Sequence, residues 1–187
     1  MPMALRWTSA DLALLPDDGK RYEIIDGALY VSRPPHWPYQ YTCGMIFSVF
    51  NTWSRHTQAG RPNLAPGVIF ADDNDVVPDV VWISQARRAA ALGPDGHLHA
   101  APELAVEVLS PGSANERRDR EVKRKLSSRR GVLEYWLVDW RTQQGEVYQQ
   151  QDGALCQVVT LSAAATLTSP RLPGFACPVA TLFETTP

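Results

Sequence analysis

The sequence predicts an α/β (α+β) chain, a central mixed β-sheet flanked by helices. Three observations carry this. Strand-like and helix-like segments interleave along the chain. Two Asp-Gly turns, at 26–27 and 152–153, each join two strand-like arms, which makes antiparallel hairpins. Residues 103–109 form a near-continuous apolar run of the kind found in buried strands.

The elements follow in order. Thr8 to Leu15 reads as a short helix, with Thr8 as its N-cap and Pro16 and Gly19 ending it. Arg21 to Ile25 and Ala28 to Ser32 are the arms of the first hairpin. Pro34, Pro35 and Pro38 break the chain. From Gln40 to Thr57, Met45, Ile46, Val49, Phe50 and Trp53 recur at helical spacing, so a long amphipathic helix packs that stripe into the core. Asn63 to Phe70 reads as one strand. Pro78 to Ile83 reads as another, with proline at its start, where the missing N–H is tolerated. Residues 84–102 give a short helix and a Gly/Pro loop. The run 103–109 ends at Ser110-Pro111-Gly112-Ser113, and Asn115 to Arg130 is a helix. Glu134 to Asp139 is a strand, 145–151 and 154–160 form the second hairpin, and a final turn lies near Thr181–Phe183.

The 187 residues predict one domain over 1–187, within the usual span of about 100–200. A 44% hydrophobic and 20% charged composition argues for a packed core and against disorder. No apolar run is long enough to span a membrane, and Met1 to Trp7 lacks the pattern of a signal peptide. Cys43, Cys156 and Cys177 are odd in number and far apart, which excludes a disulfide framework and any Cys-x-x-Cys zinc site. A reducing cytoplasm is the expected compartment.

The net charge of −2 argues against a generic nucleic-acid binder. The distribution argues otherwise. Eight of the 18 basic residues fall between 115 and 130, among them Arg117, Arg118, Arg120, Arg124 and Lys125. Four aspartates, Asp72, Asp73, Asp75 and Asp79, fall between 72 and 79.

Four residues stand out chemically. Glu107 lies inside the apolar run 103–109, and a buried carboxylate is costly unless paired or bound to metal. A structural salt bridge is the alternative. Asp79 opens a second apolar strand, while Asp72, Asp73 and Asp75 read as loop residues. A carboxylate at a strand start and one inside an adjacent strand can share a hard cation such as Mg²⁺. A capping role is the alternative for Asp79. Lys123 is one of only three lysines against 15 arginines. Lys123 and Lys125 flank the inner face set by Val122 and Leu126 about equally, so periodicity does not choose between them. Glu23 sits in a hairpin arm, where an outward, solvated position is its simpler reading.

Five segments then occur in order: Tyr22-Glu23-Ile24-Ile25-Asp26-Gly27, Pro78-Asp79-Val80, Pro102 to Pro111, Asp119-x-x-x-Lys123, and Gly131 to Asp139. Together they resemble a restriction-endonuclease family once classed as a domain of unknown function, abundant in cyanobacteria, within the PD-(D/E)XK nuclease superfamily. The resemblance spans roughly residues 8–183. It implies a restriction-endonuclease-like fold, with Asp79 and Glu107 as ligands of Mg²⁺ or Mn²⁺ and the Val108 carbonyl as a backbone ligand. The superfamily's lysine position, two residues after the glutamate, is Leu109 here. The family pattern moves that lysine to the next helix, four residues after an aspartate, which selects Lys123. Glu23 matches the family's N-terminal acid, a further metal or water ligand. Two positions depart from the pattern: Ser127 replaces a tyrosine, and Tyr39-Gln40 stands where His-Gln is common.

The resemblance implies metal-dependent cleavage of DNA, with Asp79, Glu107, Lys123 and Glu23 as catalytic residues. Arg117, Arg118, Arg120, Arg124 and Lys125 would contact phosphate, and a homodimer would let such an enzyme cut both strands. Leu109 and Ser127 support the alternative, a catalytically weak or inactive nucleic-acid-binding or regulatory module on the same fold. A third reading, a non-nuclease metal hydrolase, rests only on His97 and His99 in a loop with no third histidine nearby.

Overall fold

The computed structural model describes residues 5–183, so Met1 to Ala4 of the N-terminal segment lie outside the described residues. A six-stranded mixed sheet forms the centre, in the order β10-β9-β8-β7-β6-β3. Its strands are β3 (Gly60–Leu64), β6 (Val80–Ser84), β7 (Leu104–Val108), β8 (Glu134–Asp139), β9 (Gln144–Gln151) and β10 (Ala154–Leu161). Only β7 and β8 run parallel; the other neighbours are antiparallel. A second, antiparallel sheet has the order β2-β1-β5-β4, from β1 (Arg21–Ile25), β2 (Ala28–Ser32), β4 (Val68–Ala71) and β5 (Asn74–Val76). Two short strands near the C-terminus, β11 (Thr166–Thr168) and β12 (Ala176–Pro178), pair with each other.

Both hairpins form as the Asp-Gly turns require. Asp26 and Gly27 have φ of 51° and 76°, and Asp152 and Gly153 have 48° and 85°. Two consecutive left-handed residues match the twist of the flanking strands. The first helix, α1 (Ser9–Leu12), is shorter than the sequence suggests. It keeps Thr8 at its N-cap, where the Asp11 carboxylate accepts from the Thr8 N–H and hydroxyl.

Helix α2 (Trp37–Thr57) covers one face of the central sheet. It begins three residues before the expected start, because Pro38 lies in its first turn rather than breaking it. A first-turn N–H has no intrahelical acceptor, so the donor that proline lacks is not missed. Ile46 and Phe50 pack on Val80, Leu104, Val106 and Trp136, and the Phe50 and Trp136 rings lie 5.2 Å apart. The opposite face carries Ala105, Leu109, Tyr135, Leu137 and Leu155.

Three expectations need correction. The single strand expected over 63–70 is two strands in different sheets, β3 and β4. They part at Ala65, whose φ of 45° turns the chain just before Pro66. Asp75 is not a loop residue: it lies in β5, half-buried, and burial raises its pKa. The helix expected over 115–130 is unbroken but not uniformly α-helical. It is α4 (Ser113–Arg117), a π-helical turn (Arg118–Lys123) and α5 (Arg124–Arg130). This stretch connects parallel β7 to β8, while α3 (Gln85–Ala91) follows β6. Among the described residues no helix is long and apolar enough to cross a membrane. All three cysteines are unpaired.

Candidate active site

The site grows from strand alternation. On β7, Leu104, Val106 and Val108 face α2, so Ala105 and Glu107 face the other side. Antiparallel pairing sets Val80 against Val106 and Val81 against Ala105. Continued by one residue, that register puts Asp79 opposite Glu107. Two carboxylates directly opposite each other repel, so the surroundings have to supply cations and donors.

They do so from three elements. Lys123, at the end of the π-helical turn, sends its ammonium 2.8 Å and 2.9 Å from the two Glu107 oxygens. The same ammonium is 2.9 Å from Glu23 Oε1 and donates to the Val77 carbonyl at 3.3 Å. Asp79 Oδ1 accepts from Arg21 Nη1 at 2.7 Å and from the Tyr39 hydroxyl. Asp79 Oδ2 accepts from the Val108 N–H at 2.8 Å. The Val77 N–H donates to Glu23 Oε1 at 2.9 Å, while Glu23 Oε2 is buried without a partner. Glu23 is thus fully buried, not solvated, which corrects its simpler reading.

The π-helical turn brings Arg118 and Lys123 inward together. In an α-helix, Arg118 and Lys123 would point about 140° apart, at 100° per residue. The wider π turn stacks residues five apart, and such turns recur at functional sites. Arg118, Asp119 and Lys123 are all buried, whereas Lys125 is exposed. The Tyr135 hydroxyl donates to the Asp119 carbonyl at 3.0 Å and pins the turn from below.

These groups line one open cleft of about 170 Å³, shared by Arg21, Tyr39, Asp79, Glu107, Asp119 and Lys123. Four buried carboxylates (Glu23, Asp79, Glu107, Asp119) meet three bases (Arg21, Arg118, Lys123). Burial pushes the Glu107 carboxyl well above its usual range, although Lys123 pulls it back. Burial likewise raises Asp119 to about 6, against the pull of Lys123 and Arg118. Burial works against the Lys123 charge, yet Glu107, Glu23, Asp119 and Asp79 together hold its pKa above the usual lysine value. Burial and the Asp79 charge raise the Tyr39 phenol, so it stays a protonated donor.

The residues suit a hard divalent cation in kind. Mg²⁺ takes oxygen ligands and needs only one or two carboxylates besides water, and Asp79 and Glu107 are oxygen donors side by side. Among the described residues no group of three or more His, Cys, Asp or Glu is arranged to hold a metal ion. His97 and His99 both pair with Asp95, at 3.3 Å and 3.0 Å, in an exposed loop, and neither lines the cleft.

The structure revises the basic helix. Of the five residues expected on phosphate, only Arg118 lines the cleft, with Nη1 donating to Ser32 Oγ at 2.8 Å. Arg120 is spent on Glu146, and Arg124 on the Arg120 and Leu155 carbonyls and the Tyr148 ring. Arg117 and Lys125 are exposed outside the cleft lining, with Arg117 3.5 Å from Glu121. Sequence reasoning missed Arg21, Tyr39 and Asp119 as site residues. Arg21 had one signal, since it shares the Glu23 face of β1. Asp119 served only to select Lys123.

Buried acids on adjacent strands, a lysine from the crossover helix and a mixed central sheet define a restriction-endonuclease-like, nuclease-type fold. The chain belongs to the Uma2 family, whose model, described as "Putative restriction endonuclease", matches residues 9–180. Its fold is similar to a crystal structure described as "a putative nuclease belonging to DUF820" from Anabaena variabilis. That match has a TM-score of 0.73 and 21% identity, over 94% of this chain and 97% of the other. No curated protein sequence matches the chain.

Proposed function

We propose that the chain binds DNA on a nuclease fold and is catalytically weak. One observation carries this reading: both oxygens of each carboxylate suited to a metal are already engaged from within. Lys123 holds both oxygens of Glu107, and Arg21, Tyr39 and the Val108 N–H hold Asp79. An entering cation has to displace a buried ammonium whose charge four acids stabilise. Leu109 in the superfamily's lysine position and Ser127 in place of a tyrosine support the same reading. Of the five basic helix residues only Arg118 lines the cleft, and a phosphate there would compete with its partners Asp119 and Ser32. The unpaired cysteines support a reducing compartment such as the cytoplasm.

A second reading, efficient metal-dependent hydrolysis, is favoured by the unpartnered Glu23 Oε2. In it, Asp79, Glu107 and the Val108 carbonyl would hold Mg²⁺ or Mn²⁺. Such a cation polarises a phosphate and lowers the pKa of bound water. Lys123, released from Glu107, would then steady the charge developing on the phosphate oxygens.

DNA retention and cleavage by the purified chain, in EDTA and in Mg²⁺, separate the two. The first reading expects retention that survives EDTA, and no more cleavage than in Asp79→Ala. Rapid Mg²⁺-dependent cleavage that disappears in both Asp79→Ala and Lys123→Ala selects the second.

A further inference from the structure

We propose that an unstacked DNA strand reaches the cleft along a trough on the β2–α2 side, with Arg33 and Arg118 on its phosphates and Trp37 against a base. This rests on the DNA-binding reading above.

A second cavity, of about 370 Å³, adjoins the cleft that holds the carboxylates. The two share Ser32, Arg33, Pro34, Pro35, Ser110 and Arg118, so they form one continuous depression. Their linings differ in charge. The cleft sets three carboxylates, Asp79, Glu107 and Asp119, among five basic residues, whereas the trough has Arg33, His36 and Arg118 in its lining and no acid. A polyanion is therefore attracted to the trough and led to the edge of the acids, where a scissile phosphate would have to sit.

The walls are stiff. Pro34, Pro35 and Pro111 fix the backbone on both sides, which limits the ordering a bound strand must impose. His36 lines the trough, and the next residue, Trp37, opens α2 with 74% of its surface exposed. No other described large hydrophobic residue except Leu5 and Leu14 is so exposed, and neither of those is aromatic. An exposed indole offers a stacking face. Bases in a duplex already cover one another, so Trp37 can stack only on a single-stranded or flipped base. The basic helix is the poorer path, because Arg120 and Arg124 are committed to Glu146, to backbone carbonyls and to Tyr148.

The test is fluorescence anisotropy of a labelled oligodeoxynucleotide, single-stranded and as a duplex, titrated with the full chain in EDTA over a range of salt. Single strands should bind more tightly than the duplex. Trp37→Ala should weaken single-strand binding about tenfold, the scale of one lost base stack. Arg33→Ala should weaken it and reduce the slope of log K against log salt by about 0.7, one phosphate on a single strand. Arg88→Ala on α3, an exposed charge outside both cavities, is the control and should bind as wild type. Trp37 and Arg33 are exposed, so thermal melts of both variants should match wild type. Wild-type affinity in Trp37→Ala and Arg33→Ala, or loss confined to Arg117→Ala or Lys125→Ala, overturns the trough while leaving DNA binding intact. Absence of any DNA binding by the wild-type chain overturns both.

Discussion

Glu107 and Glu134 stand on neighbouring parallel strands, β7 and β8, and both are almost completely buried. Their surroundings differ in every other respect. Glu134 shares the α2 side of the sheet with Trp136. It accepts from Trp136 Nε1 at 2.7 Å and Ser169 Oγ at 2.8 Å, both neutral donors. Glu107 points the opposite way, into an open cleft that it shares with Asp79 and Asp119, and is matched by a lysine. Burial raises both pKa values, but only at Glu107 do other carboxylates add to the rise. Burial of an acid alone is therefore no mark of a site. A charged partner, like-charged neighbours and access to solvent together make one.

The comparison can be broken first at Lys123. Lys123→Ala leaves Glu23 and Glu107 buried without their ammonium, a change that costs about 3–5 kcal/mol. Urea unfolding at neutral pH reads the loss, and millimolar Mn²⁺ should restore part of it in the variant and less in wild type. Glu134 is held by neutral donors, with Arg171 acting on it only through its charge and ranking last among the influences, so Mn²⁺ should not affect a Glu134 variant in this way.

The next effect is one of pH. Asp119 has a native pKa of about 6, above the 3.8 of an unperturbed aspartate. The native state therefore binds the proton more tightly, and the stabilisation this gives is complete below about pH 4. It is lost as pH rises through 6, by at most about 3 kcal/mol. Asp119→Asn should flatten that part of the stability–pH curve, as followed by denaturant midpoints. Tyr39→Phe removes a donor to the Asp79 carboxylate and should cost about 2 kcal/mol, the scale of a hydrogen bond to a charged group. The smallest effect belongs to Glu134→Gln. The amide keeps an acceptor for one neutral donor, so a loss of about 1 kcal/mol and unchanged DNA affinity are expected.

The sequence made much of this legible, for physical reasons that also explain the rest. The hairpins were readable because Asp-Gly turns act within two residues. Strand β8 was readable because its apolar run is continuous. Asp79, Glu107 and Lys123 do meet, as the five segments in register implied. Strand β5 was hidden because Asn74, Asp75 and Val76 carry a turn-like composition, and pairing with β1 and β4 overrides local preference. The π-helical turn has no simple sequence signature, so the inward facing of Arg118 together with Lys123 escaped a reading at 100° per residue. Glu134 was passed over as an ordinary strand residue, because Ser169, which satisfies it, lies 35 positions away. The basic run was readable as charge, but its partners Glu146 and Leu155 come from β9 and β10, beyond the reach of helix periodicity.

The most direct test of the central claim is a single-turnover assay with protein in excess over labelled DNA, run in Mg²⁺ beside a binding titration in EDTA. The account predicts binding in EDTA, with cleavage in Mg²⁺ no faster than in the Asp79→Ala, Glu107→Ala double variant. Fast Mg²⁺-dependent cleavage by the wild-type chain, abolished in that variant, would contradict it.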